Sequence, residues 1–221
     1  MGISNTIPPS RLIQPGVVAN TAARPTSPFT GQAIYQVDTN QMLIWNGSAW
    51  VIPNSLAQNP TGLELILTQT VGTAVSSVTV SSAFSSDYDN YRIVYTGGVS
   101  SVDNDLKLTL GASATGYYSG FVYVPYATGT LTGAVNNNAT SWSMIGAQAT
   151  TGNSVDVELF GPNQAIRTGM SSRYFGIRTT SVGGSQSGFH NATTQHTAFT
   201  ITCSSGNITG GIVYVYGFRK A

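Results

Sequence analysis

The 221-residue chain sets nine Lys and Arg against eight Asp and Glu, for a net charge of +1, and only 8% of its residues are charged, against about 25% in ordinary soluble domains. That balance gives no electrostatic basis for nucleic-acid or membrane-surface binding. Cys203 is the only cysteine, which excludes an intrachain disulfide, while a hydrophobic content of 41% is enough for a core.

In chain order, residues 1–23 read as an extended N-terminal arm. Pro8-Pro9 and Pro15-Gly16 interrupt it, and its apolar residues show no helical period. Such a segment becomes ordered by lying on a partner, as in strand addition, and its candidate attachment residues are Leu12, Ile13, Val17 and Val18. The first residues lack the basic-then-apolar pattern of a secretory signal, which fits synthesis in a cytoplasm.

Residues 24–53 predict a small three-stranded β-meander. Arg24-Pro25 and Ser27-Pro28 stiffen the approach. Strands follow at Gln32–Val37, Met42–Trp45 and Ala49–Ile52, separated by the turn residues Asp38-Thr39-Asn40 and Asn46-Gly47. Tyr35, Trp45 and Trp50 are its expected apolar payload. Residues 54–62 form a polar linker containing Asn59-Pro60.

Residues 63–221 predict the outer domain, an antiparallel β-sandwich of the jelly-roll kind with about ten short strands. Apolar residues alternate with polar ones in Leu63/Leu65/Leu67, Tyr91/Ile93/Tyr95, Leu106/Leu108/Leu110, Val155/Val157/Leu159 and Phe199/Ile201. This period of two puts one face on a core. Phe121–Tyr126 and Ile212–Phe218 are apolar on both faces, which suits strands covered by a second subunit. Ala127–Thr140, Gly161–Ser172 and Ser181–Gln195 are rich in Gly, Asn, Ser and Thr and read as loops.

Chemistry-bearing residues are few. His190 and His196 lie six residues apart with no acid near them in sequence, which favours an exposed or locally bonded pair over a metal site. Asp87/Asp89 and Asp103/Asp105 have spacing that could serve Ca²⁺, although aspartates at strand entrances commonly bond turns instead. Asp156 and Glu158 share a strand face that the alternation turns to solvent, so acid–base work is not expected of them. Arg167, Arg173 and Arg178 form the only basic cluster; they could meet sulfated or anionic surface sugars, but arginines around one loop more often pair with acids or with a neighbouring subunit. Tyr117, Tyr118 and Trp142, with His190 and Asn191 in the 181–195 segment, are the candidate receptor-binding residues, because rings beside amides suit carbohydrate. Core or interface rings are the competing reading. No cofactor, metal or enzymatic activity is expected.

Two stretches carry a resemblance. RPTSPFTGQAIYQVDTNQMLIWNGSAW, residues 24–50, resembles a module found repeatedly in bacteriophage tail fibres and related virion proteins. FSSDYDNYRIVYTG, LGASATGYYSGFVY, NNNATSW and HTAFTITCSSGNITGGIVYVYGFRKA resemble a C-terminal domain of tail-fibre and virion-surface proteins, including those of phages infecting cyanobacteria. The resemblance implies a homotrimeric virion protein that attaches to other virion proteins through its N-terminal arm and contacts a host-surface glycan through its outer domain. The sequence departs from a long fibre in having no heptads, collagen-like repeat or repeated shaft. A short tail fibre or spike is therefore expected, with a capsid decoration or head fibre of purely structural role as the alternative.

Overall fold

The computed structural model describes residues 16–53, 62–177 and 180–219. Leu12 and Ile13 of the arm, most of the expected linker, and Arg178 lie outside them. The chain divides into two compact units, residues 1–59 and 60–221. Nearly all regular structure is β, and among the described residues no helix is long and apolar enough to cross a membrane.

The first unit is a sheet of four strands rather than three, in the order β1 (Gly16–Val18), β2 (Ala33–Gln36), β3 (Gln41–Trp45) and β4 (Trp50–Val51). The expected meander is present, and β1 is added parallel to β2, with Val17 opposite Tyr35. The last residues of the presumed arm thus belong to this sheet, which corrects the boundary drawn at residue 23. A single 3-10 turn, Thr21–Ala23, is capped by Asn20, whose side-chain oxygen accepts from the backbone N–H groups of Ala22 and Ala23. Val17 is exposed and Val18 half-buried.

The buried face of this sheet is also not the expected one. Ile34, Gln36 and Leu43 are buried, while Tyr35, Trp45 and Trp50 are only half-buried. The side chain of Gln36 explains the inversion. Its Nε2 donates to Thr21 Oγ1 at 3.2 Å and Asp38 Oδ1 at 2.7 Å, and its Oε1 accepts from Arg24 Nε at 2.6 Å. A glutamine with its amide satisfied in this way can occupy a core position, and residues 20–24 supply the partners.

The second unit contains β5 (Leu63–Thr70), β6 (Ser77–Val80), β7 (Tyr88–Thr96), β8 (Val99–Ser100), β9 (Asn104–Leu110), β10 (Tyr117–Pro125), β11 (Thr132–Ala139), β12 (Trp142–Gln148), β13 (Ser154–Phe160), β14 (Thr168–Gly176), β15 (Val182–His190), β16 (Phe199–Cys203), β17 (Ile208–Thr209) and β18 (Ile212–Arg219). Apart from the short antiparallel pair β8–β17, its pairings resolve into two antiparallel sheets. One runs β5-β18-β7-β13-β14-β15-β10-β11 and the other β6-β16-β9-β12. Only Gly146–Val155 and Ala147–Ser154 pair across the corner between β12 and β13.

The chain alternates between the sheets as β5, β6, β7 and β9 are laid down, and again through β12, β13, β16 and β18. The resulting orders, β5-β18-β7-β13 facing β6-β16-β9-β12, are those of an eight-stranded jelly roll. Two insertions, β10–β11 and β14–β15, pair with each other and continue the first sheet beyond β13. That extension carries the candidate site.

The core lies between the sheets where alternation places it: Tyr91, Ile93 and Tyr95 of β7, Leu106, Leu108 and Leu110 of β9, Val155, Val157 and Leu159 of β13, Phe199 and Ile201 of β16, and Val213 and Val215 of β18 are all buried. Cys203 is buried too, and burial raises its thiol pKa, which makes it a small hydrophobe. Strand β5 departs from expectation. Leu63 and Leu65 are exposed, while Ile66 and Leu67 pack on the core. Leu67 lies opposite Val215 but Leu65 opposite Tyr216, so Ile66 is the extra residue of a β-bulge, and a one-residue slip turns the side chains to the other face.

The three segments read as loops hold strands: β11 lies within Ala127–Thr140, β14 begins within Gly161–Ser172, and β15 occupies most of Ser181–Gln195. Their Gly, Ser and Asn content argues against strand on propensity. Pairing on both sides overrides propensity for β14 and β15. The two strands expected to be covered on both faces behave differently. Strand β18 is central, with Val213 and Val215 in the core and Tyr214 and Tyr216 half-buried and stacked on the outer face. In β10, the apolar run remains half-buried or exposed in a single chain, with Val122 on the outer face.

Candidate functional site

The outer face of the extension is a trough whose floor is set by residue size. Cross-strand register places Phe160, Gly169, Phe189 and Tyr118 in one row. The next row is Ser171, Ser187, Gly120 and Val135, and the third is Arg173, Ser185, Val122 and Gly133. Rows on one face are separated by two residues, so the outer rows stand roughly 13 Å apart from strand rise alone. The middle row is small through Ser171, Ser187 and Gly120, and it forms the floor of a groove of about 530 Å³, ended by Val135 and Asn136.

The wall is aromatic. Tyr118 and Phe189 stack with ring centroids 5.0 Å apart and an interplanar angle of 8°, and the Arg167 guanidinium carbon lies 5.6 Å from the Phe189 centroid. Gly120 has open space where a Cβ would stand, which leaves the flank of Tyr118 accessible. Beneath the groove, Ser119 Oγ accepts from Asn136 Nδ2 at 2.8 Å and Gln186 Nε2 at 2.6 Å, and Asn136 Oδ1 accepts from Ser143 Oγ at 3.0 Å. This network fixes Asn136 at the rim. The hydroxyl of Ser187 faces the groove without a hydrogen-bond partner among the described residues.

The strand-to-strand approach here depends on two glycines. A Cβ on Gly188 would sit 2.1 Å from the carbonyl oxygen of Tyr118, and one on Gly184 would sit 2.3 Å from that of Val122. Both are far inside van der Waals contact, so any side chain there would push β15 away from β10.

Of the sequence-predicted contact residues, Tyr118 lines this groove and Asn191 is exposed beside the end of β15. Tyr117, Trp142 and His190 are corrected: all three are buried and none can offer a ring to a ligand. Alternation is the physical reason, since Tyr117 and His190 are register partners on the inner face of β10 and β15. They act instead as the backing of the groove. Tyr117 meets Trp142 edge-on at 5.1 Å and His190 at 4.7 Å, and Trp142 Nε1 donates to the carbonyl of Tyr118 at 3.3 Å. Burial raises the pKa of Tyr117, whose hydroxyl donates to Ser113 O and accepts from the Leu110 N–H.

His190 and His196 form the locally bonded pair, with ring centroids 5.3 Å apart. The His190 ring nitrogen Nε2 contacts Thr115 O at 3.0 Å. Burial, and secondarily the neighbouring His190, hold His196 below the usual imidazole range. Thr168 Oγ1, His190 Nδ1 and His196 Nε2 are buried without partners, and such atoms are ordinarily satisfied by ordered water.

The acids are engaged elsewhere. Asp87 accepts from Ser85, Asp89 from Gln164, Asp103 from Thr150 and Asp105 from Tyr174. Asp156 holds Arg92 in a two-point pair at 2.8 and 2.9 Å and also faces Arg173 at 3.5 Å. Among the described residues no group of three or more His, Cys, Asp or Glu could hold a metal ion. Sequence reasoning missed Phe189, Ser187, Gly120 and Asn136 as groove residues. The signal was present in the alternation of SQSGFH and YYSG, but it was hidden because residues 181–195 were read as a loop. No family model, curated protein or solved structure matches the chain.

Proposed function

We propose that the chain is a bacteriophage virion protein, a short tail fibre or spike whose jelly roll presents the Tyr118–Phe189 groove to a saccharide of the host surface. The observation that carries this reading is the groove itself. A stacked aromatic pair beside a floor of Gly120 and Ser187 offers a sugar a ring for its C–H face and the Ser187 hydroxyl for its hydroxyls. The neutral, amide-rich surface and the two-part resemblance to tail-fibre and virion-surface proteins supply the context. The N-terminal unit is the part that attaches to other virion proteins, with Leu12, Ile13, Val17 and Val18 as its apolar contacts. Self-association, a homotrimer by resemblance, would cover the half-buried Phe121 and Tyr123 on the face of β10 opposite the groove and leave the groove open. A capsid decoration of purely structural role is the second reading, favoured by the absence of any shaft repeat.

The test is competition for adsorption. Purified protein should block attachment of the phage that carries it to host cells, and the Tyr118→Ala variant should not. Localisation of the protein to the capsid shell in many copies, with no competition by the purified protein, would favour the decoration and overturn receptor binding.

A further inference from the structure

Arg167 stands out among the arginines. Arg92 and Arg173 pair with Asp156, Arg219 pairs with Glu64, and Arg24 donates to Gln36. Among the described residues, Arg167 has neither a carboxylate nor an amide partner; its guanidinium is placed against the Phe189 ring. In a chain with nine basic residues and eight acids, an unpaired arginine beside a groove is a local excess of charge. No acid lines that groove.

A guanidinium resting against an aromatic ring loses part of its hydration but keeps its fork of donors, which matches carboxylate and sulfate oxygens two at a time. The ring that holds Arg167 is the same ring that stacks on Tyr118. Arg167 precedes β14 by one residue and stands beyond the wall rather than in the groove lining. A sugar packed against Tyr118 and Phe189 and extending across the top of the wall would therefore bring an anionic substituent to a guanidinium that has no acid partner among the described residues. A neutral saccharide would use the rings and Ser187 and leave Arg167 idle.

We infer that the groove selects an anionic saccharide, with the acidic substituent, a uronic carboxylate or a sulfate ester, bound by Arg167 beside the Phe189 ring. This inference rests on the saccharide reading of the groove and adds the class of ligand to it.

The experiment measures affinities of the full chain for two matched pairs of oligosaccharides. Oligogalacturonate against its methyl ester tests the carboxylate, and a carrageenan oligosaccharide against the same oligosaccharide after desulfation tests the sulfate. The acidic member of at least one pair should bind roughly tenfold to hundredfold more tightly than its neutral partner. That preference should weaken as salt is raised. Arg167→Met should abolish the preference, bringing affinity for the acidic member down to that of its neutral partner, and Arg167→Lys should retain part of it. Equal binding within both pairs, or a preference unaffected by Arg167→Met, would overturn the inference and leave the groove a neutral-sugar site. Absence of binding to all four would overturn the inference and the saccharide reading together.

Discussion

Tyr117 and Tyr118 are neighbours in sequence with opposite fates, because β10 turns successive side chains to opposite faces. Tyr117 is buried against Trp142 and His190, and Tyr118 forms the groove wall. Their substitutions should separate accordingly. Tyr118→Ala should abolish saccharide binding with little change in melting temperature. Trp142→Ala removes a fully buried ring and should cost about 3–5 kcal/mol of stability by denaturant unfolding, with binding lost only as the fold is lost. Equal destabilisation by the two would contradict the assignment of faces. His196 adds a dependence on pH. Its folded pKa lies below the unfolded value, so the unfolded chain binds more protons as pH falls below about 6.5. Stability should be level above that pH and decline below it, until the folded pKa is passed. Thermal melts near pH 7.5 and pH 5.5, above the carboxylate range, should show the drop, and a His196→Phe variant should reduce it. Identical melts of the unmodified protein would contradict the buried neutral imidazole.

At the scale of elements, the alternating strands were legible in the sequence because both of their neighbours agreed with them. Tyr91/Ile93/Tyr95, Leu106/Leu108/Leu110 and Val155/Val157/Leu159 all point into one core. What was not legible needed information from other strands. Leu63 and Leu65 look like core residues until the bulge at Ile66 is known. Val182–His190 looks like a loop until β10 and β14 are seen to pair with it on both sides. The groove residues of β15 were lost with that misreading, whereas Tyr118 was found because its aromatic character needs no partner to be noticed. Gly188 provides a test of the element. Gly188→Ala would force a Cβ into the Tyr118 carbonyl, so it should loosen the β10–β15 pairing and reduce binding together with stability, measured as faster amide exchange in those two strands. In the N-terminal sheet, Gln36→Ala leaves the Thr21 and Arg24 contacts unmade and should cost about 1–3 kcal/mol within that unit. Unchanged stability there would mean that residues 20–24 do not hold the sheet as described.

For the molecule as a whole, the jelly roll explains why a binding surface is available. The eight jelly-roll strands supply most of the core and the insertions add Tyr117 and Met170 to it from their inner face, so the pairs β10–β11 and β14–β15 are free of that task on their outer face. Their small-residue row makes a trough in a surface that would otherwise be covered by side chains. The proposed saccharide site, and the selection of an anionic sugar by Arg167, both depend on that trough being open. Gly120→Val tests it most directly. A Cβ at position 120 meets nothing within 4 Å, and valine suits a strand, so the variant should fold as the unmodified chain does while its side chain fills the floor. Binding of the two proteins to an array of bacterial-surface oligosaccharides, alongside their melting temperatures, is the decisive measurement. The account predicts binding by the unmodified chain and its loss in Gly120→Val at unchanged melting temperature; saccharide binding that survives a filled groove would contradict it.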